Sequence, residues 1–187
     1  MCDTAGPGPV LCHKCDGHFY DRALAAGIYE LALAASIIEL KSTPRVPRRV
    51  ADMIRNASQN TDLQNNDVVI PVPLSKLRRI ERGFNQAETI AAVLTGSTGM
   101  PLDTGSLARA LHTPIHRIGM DDKARDLTVR KAFKVERPKL IADKKVLLVD
   151  DVFTSGATAS HCARILKKHG ATRVTVFTLA RAVQANS

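Results

Sequence analysis

The sequence predicts an α/β domain of mainly parallel twisted sheet flanked by helices, and three observations carry that expectation. Two short apolar runs, Val68–Ile70 and Val146–Val149, are continuous and rich in β-branched residues, as strands buried on both faces are. Each leads through a polar turn into apolar residues at helical spacing. After the first these are Ala87, Ile90, Ala91 and Leu94; after the second, Ala159, Cys162, Ala163 and Leu166. A last strand is expected from Arg173 to Ala180, through Val174, Val176, Phe177 and Leu179, just after Gly170, which suits a helix C-cap. Alternation of strand and helix is the pattern of a parallel sheet.

Taken in order, the first ten residues, with Gly6, Pro7, Gly8 and Pro9, show no periodicity. Cys12-His13-Lys14-Cys15 places two thiols at the spacing of half a tetrahedral zinc site. A full site needs two more ligands; Cys2 is one candidate, and His13 or His18 could complete it. The plainer alternative is a pair of free thiols in a frayed terminus. Asp21 is expected to cap a helix reaching about Leu40, with Leu24, Ile28, Leu31, Ala35 and Ile38 on its apolar face. Pro44 and Pro47 interrupt, and a second helix is expected over Arg48–Asn56, with Val50, Met53 and Ile54 inward. Asn56–Asn66 reads as a polar connection.

Asp67–Val72 reads as a strand closed by Pro71 and Pro73. Leu74–Gln86 is a loop or short helical turn that presents Lys76, Arg78, Arg79 and Arg82 before Gly83, and a helix over Asn85–Leu94 follows. Thr95–Thr104 is a connection, and Leu107–Leu111 and Ala132–Val135 are short strands. Between them, the charged excursion His112–Arg130 suits either a lid or an ordinary surface helix. The expected organisation is a cysteine segment over residues 1–20, a helical extension over 21–60, and the main domain over 61–187.

Composition narrows the function classes. The 187 residues carry a net charge of +9, which suits phosphate-rich ligands or nucleic acid, or simply a solvated basic surface. Aromatic residues make up 4% with no Trp, so a base-stacking platform has little material. No run of about 18 apolar residues offers a membrane span. No charged-then-apolar leader opens the chain, so a cytoplasmic setting is expected.

The chemistry concentrates in Val146–Thr158. A strand ending in Asp150 and Asp151 feeds a turn of Thr154, Ser155 and Gly156 into the helix that starts at Ala157. Free N–H groups and the dipole of a helix N-terminus favour an anion, and Thr154, Ser155 and Thr158 add hydroxyl donors. Gly156 lets the backbone approach phosphate oxygens. Ionised carboxylates only accept hydrogen bonds, so Asp150 and Asp151 suit sugar hydroxyls or a hydrated Mg²⁺. Together these describe a site for a phosphorylated ribose. The cations of Leu74–Gln86 leave the C-terminal end of the other strand, the edge at which α/β sheets bind ligands, and are expected to face the two acids.

This stretch resembles the motif by which type I phosphoribosyltransferases bind phosphoribosyl pyrophosphate (PRPP). That motif has four apolar residues, two acids, two apolar residues, Thr, Thr or Ser, Gly, any residue and Thr. The resemblance implies Mg-dependent transfer of a phosphoribosyl group to a nitrogen nucleophile. Asp150 and Asp151 would be the catalytic pair that holds ribose hydroxyls, directly or through waters of Mg²⁺. Val152, Phe153, Thr154, Ser155, Gly156, Ala157 and Thr158 would hold the 5′-phosphate, and Arg78, Arg79, Arg82 and Gln86 the pyrophosphate.

Further pieces resemble one branch of that superfamily, the ComF-like proteins of DNA uptake. They are Pro71-Val72-Pro73-Leu74 with Arg82-Gly83-Phe84-Asn85-Gln86-Ala87; Leu107, Arg109 and Thr113 with Arg125, Ala132 and Phe133; Tyr29–Lys41; and Val176–Arg181. This likeness implies an accessory role in competence, with a DNA-uptake ATPase or translocase, or nucleic acid, as partner. It also implies an N-terminal zinc ribbon of two Cys-x-x-Cys pairs. Here one pair stands intact, and Cys2, Cys12 and Cys15 are the zinc ligands carried over. His116 and Thr128 stand where the family has Gln and Asn.

Overall fold

Continuous apolar runs flanked by helical patterns build a five-stranded parallel sheet whose strands lie in the order Cys2–Asp3, Arg22–Ile28, Arg173–Arg181, Lys145–Phe153 and Val68–Pro71. The computed structural model describes residues 2–3, 17–110 and 132–182. Its strands are β1 (Cys2–Asp3), β2 (Arg22–Ile28), β3 (Val68–Pro71), β4 (Leu107–Arg109), β5 (Phe133–Val135), β6 (Lys145–Phe153) and β7 (Arg173–Arg181). The helices are α1 (Leu31–Glu39), α2 (Arg48–Ala57), α3 (Thr61–Gln64), α4 (Lys76–Arg82), α5 (Gln86–Thr98) and α6 (Ala157–Lys168). β4 and β5 form a separate antiparallel pair.

Side chains alternate across a strand, so a strand buried on both faces must be apolar throughout. In β6, Val146 and Leu148 pack with Ala159, Cys162, Ala163 and Leu166 of α6, while Leu147 and Val149 pack with Ile90, Ala91 and Leu94 of α5 and with Ile37 and Ile54. The helix after β3 therefore covers one face and the helix after β6 covers the other. Adjacent parallel strands whose connections leave to opposite faces open a crevice at their C-terminal ends. β3 and β6 are such a pair, joined from Val68↔Val146 to Pro71↔Val149.

The structure corrects one sequence expectation. Asp21 caps no helix, and Arg22–Ile28 is a strand paired with β7 from Arg22↔Thr175 to Ile28↔Arg181. The alanines of this segment favour helix locally, but sheet pairing overrides propensity. Asp21 instead clamps the sheet: its Oδ2 accepts the Val174 N–H at 2.7 Å and its Oδ1 meets Lys167 Nζ at 2.7 Å. Small residues suit this position. A Cβ at Gly27 would lie 2.9 Å from Leu33 Cδ2 and 3.2 Å from Met53 Cε, so the bare backbone lets α1 and α2 approach. The helix begins only at Leu31 and buries Ile37; Leu31 and Ile38, expected inward, are 91% and 59% exposed.

Smaller differences follow from caps. α5 runs to Thr98 because Gly99, at φ 72°, closes it with its N–H on Thr95 O. The polar stretch before β3 holds the short helix α3, which buries Leu63. Residues 111–131, which include the expected lid, lie outside the described residues, as do Cys12 and Cys15.

Leu148 is fully buried at the centre of the α6-side core. Leu148→Ala is expected to cost about 2–5 kcal/mol. Urea denaturation should show a lower midpoint with an unchanged slope.

Candidate functional site

β6 delivers the two acids. Strand alternation continues past Val149, so Asp150 follows Leu148 toward the α6 side and Asp151 follows Val149 toward the α5 side. The backbone supports both carboxylates: the Asp151 N–H donates to Asp150 Oδ1 at 2.9 Å, and the Val152 N–H to Asp151 Oδ1 at 2.8 Å. Removal from water, and then the neighbouring Asp151 charge, push the Asp150 carboxyl up to about 8, with the Asp151 N–H and Lys41 opposing. The Asp150 carboxyl thus holds its proton more tightly than a solvated acid does. On the α6 side, burial first and the Asp150 charge second raise the Cys162 thiol well above its ordinary value, so it behaves as an apolar core residue.

The turn of Thr154, Ser155 and Gly156 follows at once. Thr154, Ser155, Ala157 and Thr158 are exposed, whereas Phe153 and Gly156 are buried. Gly156 is the N-cap of α6 at φ 73° and has no side chain to satisfy the first amides. Ser155 Oγ approaches the Ala157 N–H at 3.4 Å. The glycine is required on two counts, its left-handed backbone and its packing. A Cβ there would lie 2.8 Å from Phe153 Cζ and 2.9 Å from Tyr20 Oη. Tyr20 is itself buried edge-on against Phe153, with ring centroids 5.9 Å apart, and under His18. This brace under the turn has no local sequence signature.

Across the crevice, the cations leave the end of β3 as expected, but on a helix. α4 starts at Ser75, buries none of its seven residues and closes at Gly83, φ 77°. Asn85 then fixes the start of α5, donating to Val72 O at 3.0 Å and accepting from the Ala87 N–H at 3.1 Å. Gln86, 5% exposed, donates from Nε2 to Asp151 Oδ2 at 3.2 Å and accepts from Arg82 Nη1 at 3.0 Å. Arg79 is ion-paired with Glu88, and Arg78 is half-buried on the same helix. Of the predicted residues, Arg82, Gln86 and Asp151 are thus joined directly, while Arg79 is held by Glu88. Lys41, which is not among the predicted site residues, places Nζ 3.8 Å from Asp151 Oδ2.

An acid pair thus runs into an open helix start in the crevice between parallel strands. A family profile described as the phosphoribosyl transferase domain matches residues 36–186. The chain belongs to this family.

Within it the chain is ComF-like. Competence protein F of Haemophilus influenzae is 33% identical over 130 residues, covering 69% of this chain and 56% of that protein, so the match spans just over half of the relative. DNA utilization protein YhgH of Salmonella typhimurium is 28% identical over 87% of this chain and 73% of that protein. Competence protein ComFC of Bacillus subtilis is 35% identical over 61% of this chain and 44% of its own length. Among solved structures, the glutamine PRPP amidotransferase of B. subtilis superposes with a TM-score of 0.52 at 20% identity, over 84% of this chain and 31% of that one, and so shares the fold.

Among the described residues, no three or more His, Cys, Asp or Glu side chains cluster as a metal cage. No helix there is long and apolar enough to cross a membrane. The acid pair alone fits a hydrated Mg²⁺ whose remaining oxygens come from a ligand, because Mg²⁺ keeps waters and binds through one or two carboxylates.

Two outcomes test the site's physics. In the ligand-free protein the folded Asp150 carboxyl keeps its proton from its ordinary 3.8 up to about 8, while the unfolded one does not. Stability from this group is therefore present below the lower value and is lost as pH rises through the upper one. Asp150→Asn should flatten the fall in melting temperature between about pH 5 and pH 8, read by calorimetry in chelator. Gly156→Ala should destabilise the fold by about 1–3 kcal/mol through the left-handed backbone and the Tyr20–Phe153 contact, read by chemical denaturation.

Proposed function

We propose that the crevice between β3 and β6 binds PRPP with Mg²⁺ and transfers its phosphoribosyl group to a nitrogen nucleophile. The observation that carries this reading is the acid pair at the end of β6 leading into the open N-terminus of α6. Pyrophosphate is already a good leaving group, so the chain needs no nucleophile of its own. Its residues contribute position and charge. Asp150 and Asp151 accept from the ribose hydroxyls, and loss of the Asp150 proton adds acceptor capacity. Thr154, Ser155, Thr158 and the first amides of α6 hold the 5′-phosphate, within a turn formed by Val152, Phe153, Gly156 and Ala157. Arg82 and Arg78 face the charge that grows on pyrophosphate, and Arg79 joins them by exchanging Glu88 for phosphate. Magnesium, when bound, would be held by Asp150 and Asp151 and would supply positive charge against the pyrophosphate.

A second reading is favoured by the relatives' names, which speak of competence and DNA utilization. In it the same site binds PRPP as a ligand, and the working product is contact with a translocase or with DNA during uptake. Zinc on Cys2, Cys12 and Cys15 belongs with this reading as an N-terminal module.

Calorimetric titration of Mg-PRPP tests the shared part. Micromolar binding is expected, reduced about 100-fold or more in Asp150→Asn/Asp151→Asn, since two charge-assisted hydrogen-bonding groups are altered. No binding by folded wild-type protein would contradict both readings. Arg82→Ala should weaken PRPP about tenfold, through loss of a charge-assisted hydrogen bond, and weaken ribose 5-phosphate less. Pyrophosphate release that depends on an added base separates enzyme from binder.

A further inference from the structure

The side chains between the two halves of the crevice form a chain: Arg82, Gln86, Asp151 and Lys41. Arg82 Nη1 donates to Gln86 Oε1 at 3.0 Å, and Gln86 Nε2 donates to Asp151 Oδ2 at 3.2 Å. Lys41 Nζ stands 3.8 Å from the same oxygen. A guanidinium can only donate and an ionised carboxylate can only accept, so the residue between them must do both at once. The amide of Gln86 does this in one orientation, oxygen to Arg82 and nitrogen to Asp151. A carboxylate at position 86 would satisfy Arg82 and repel Asp151, a cation would do the reverse, and an apolar side chain would satisfy neither.

The backbone around Gln86 is fixed on the strand side and loose on the other. Asn85, 1% exposed, pins the start of α5 to Val72 O at the end of β3. α4 buries none of its residues and is joined to α5 through the left-handed Gly83. Gln86 is therefore a buried, anchored group reaching back to a helix that rests lightly on the core.

We propose that Gln86 is a positioning residue that couples the two halves of the site, so that Arg82 engages pyrophosphate strongly only while Asp151 is set for ribose. The coupling rests on the PRPP reading and adds to it. Gln86 sits behind the ligand groups: it holds the Arg82 guanidinium at the crevice and, with Lys41, holds Asp151 Oδ2, while the Val152 N–H holds Oδ1, so the orientation of the carboxylate is set from both sides. Filling one half then orders the other. The chain thereby favours a ligand that carries both ribose and pyrophosphate over either fragment alone.

The test is a double-mutant cycle, with Arg82→Ala and Asp151→Ala measured singly and together by calorimetry with Mg-PRPP. The cycle is run in wild-type protein and in Gln86→Met, with urea denaturation to establish that each variant is folded. In the wild-type background, the double variant should lose about three- to tenfold less affinity than the product of the two single losses. In Gln86→Met the losses should multiply within about twofold. Gln86→Glu, which keeps the bond to Arg82 and removes the donor to Asp151, should behave like Gln86→Met. Multiplicative losses in wild type, or coupling that survives both substitutions, would overturn the relay while leaving the PRPP site standing. Absence of Mg-PRPP binding to wild type would overturn the site reading and the relay with it.

Discussion

Asp150 and Asp151 are consecutive in a strand, which forces them toward opposite faces of the sheet while their carboxylates share one edge. Much of the site follows from this. One acid belongs to the α6 side and loses water; the other meets Gln86 and Lys41 on the α5 side. Each side contributes its own connection, so the phosphate-type turn and the cationic helix arrive at the same crevice from opposite faces. The raised Asp150 carboxyl follows, first from its removal from water and then from the Asp151 charge beside it. A ligand that brings hydroxyl donors or a hydrated cation relieves this. The conformational stability given up at neutral pH is thus tied to binding.

The sheet makes this arrangement possible. β6 and β7 run in register from Lys145↔Arg173 to Phe153↔Arg181, so the strand is still paired where it carries charge. The close approaches use residues without bulk: Gly27 under α1 and α2, and Gly156 under Tyr20 and Phe153. At each the space is shared by a nearby side chain, Leu33 or Phe153, and one remoter in sequence, Met53 or Tyr20.

The legible parts of the sequence were those in which local pattern and tertiary role agree. Val146–Val149 has the continuous apolar run of a strand buried on both faces, and Gly83 and Gly156 mark turns that only a left-handed residue makes easily. Arg22–Ile28 was misread because its alanines favour helix and its strand character comes only from pairing with β7. Tyr20 and Lys41 were missed as site residues for a related reason: each reaches the crevice from more than 100 residues away along the chain. Gln86 was legible by resemblance as a pyrophosphate residue, whereas the structure gives it two partners within the chain.

Backbone hydrogen exchange with and without Mg-PRPP tests the central claim most directly, because it reads where a ligand sits without presuming an activity. The account predicts slowed exchange in Phe153–Thr158 and across Lys76–Gln86. It predicts no change at the far end of β3, where Asp67, Leu102, Asp103, Arg137 and Lys144 line a separate groove of about 420 Å³. Protection confined to that groove, or absent from the start of α6 at saturating ligand, would contradict it.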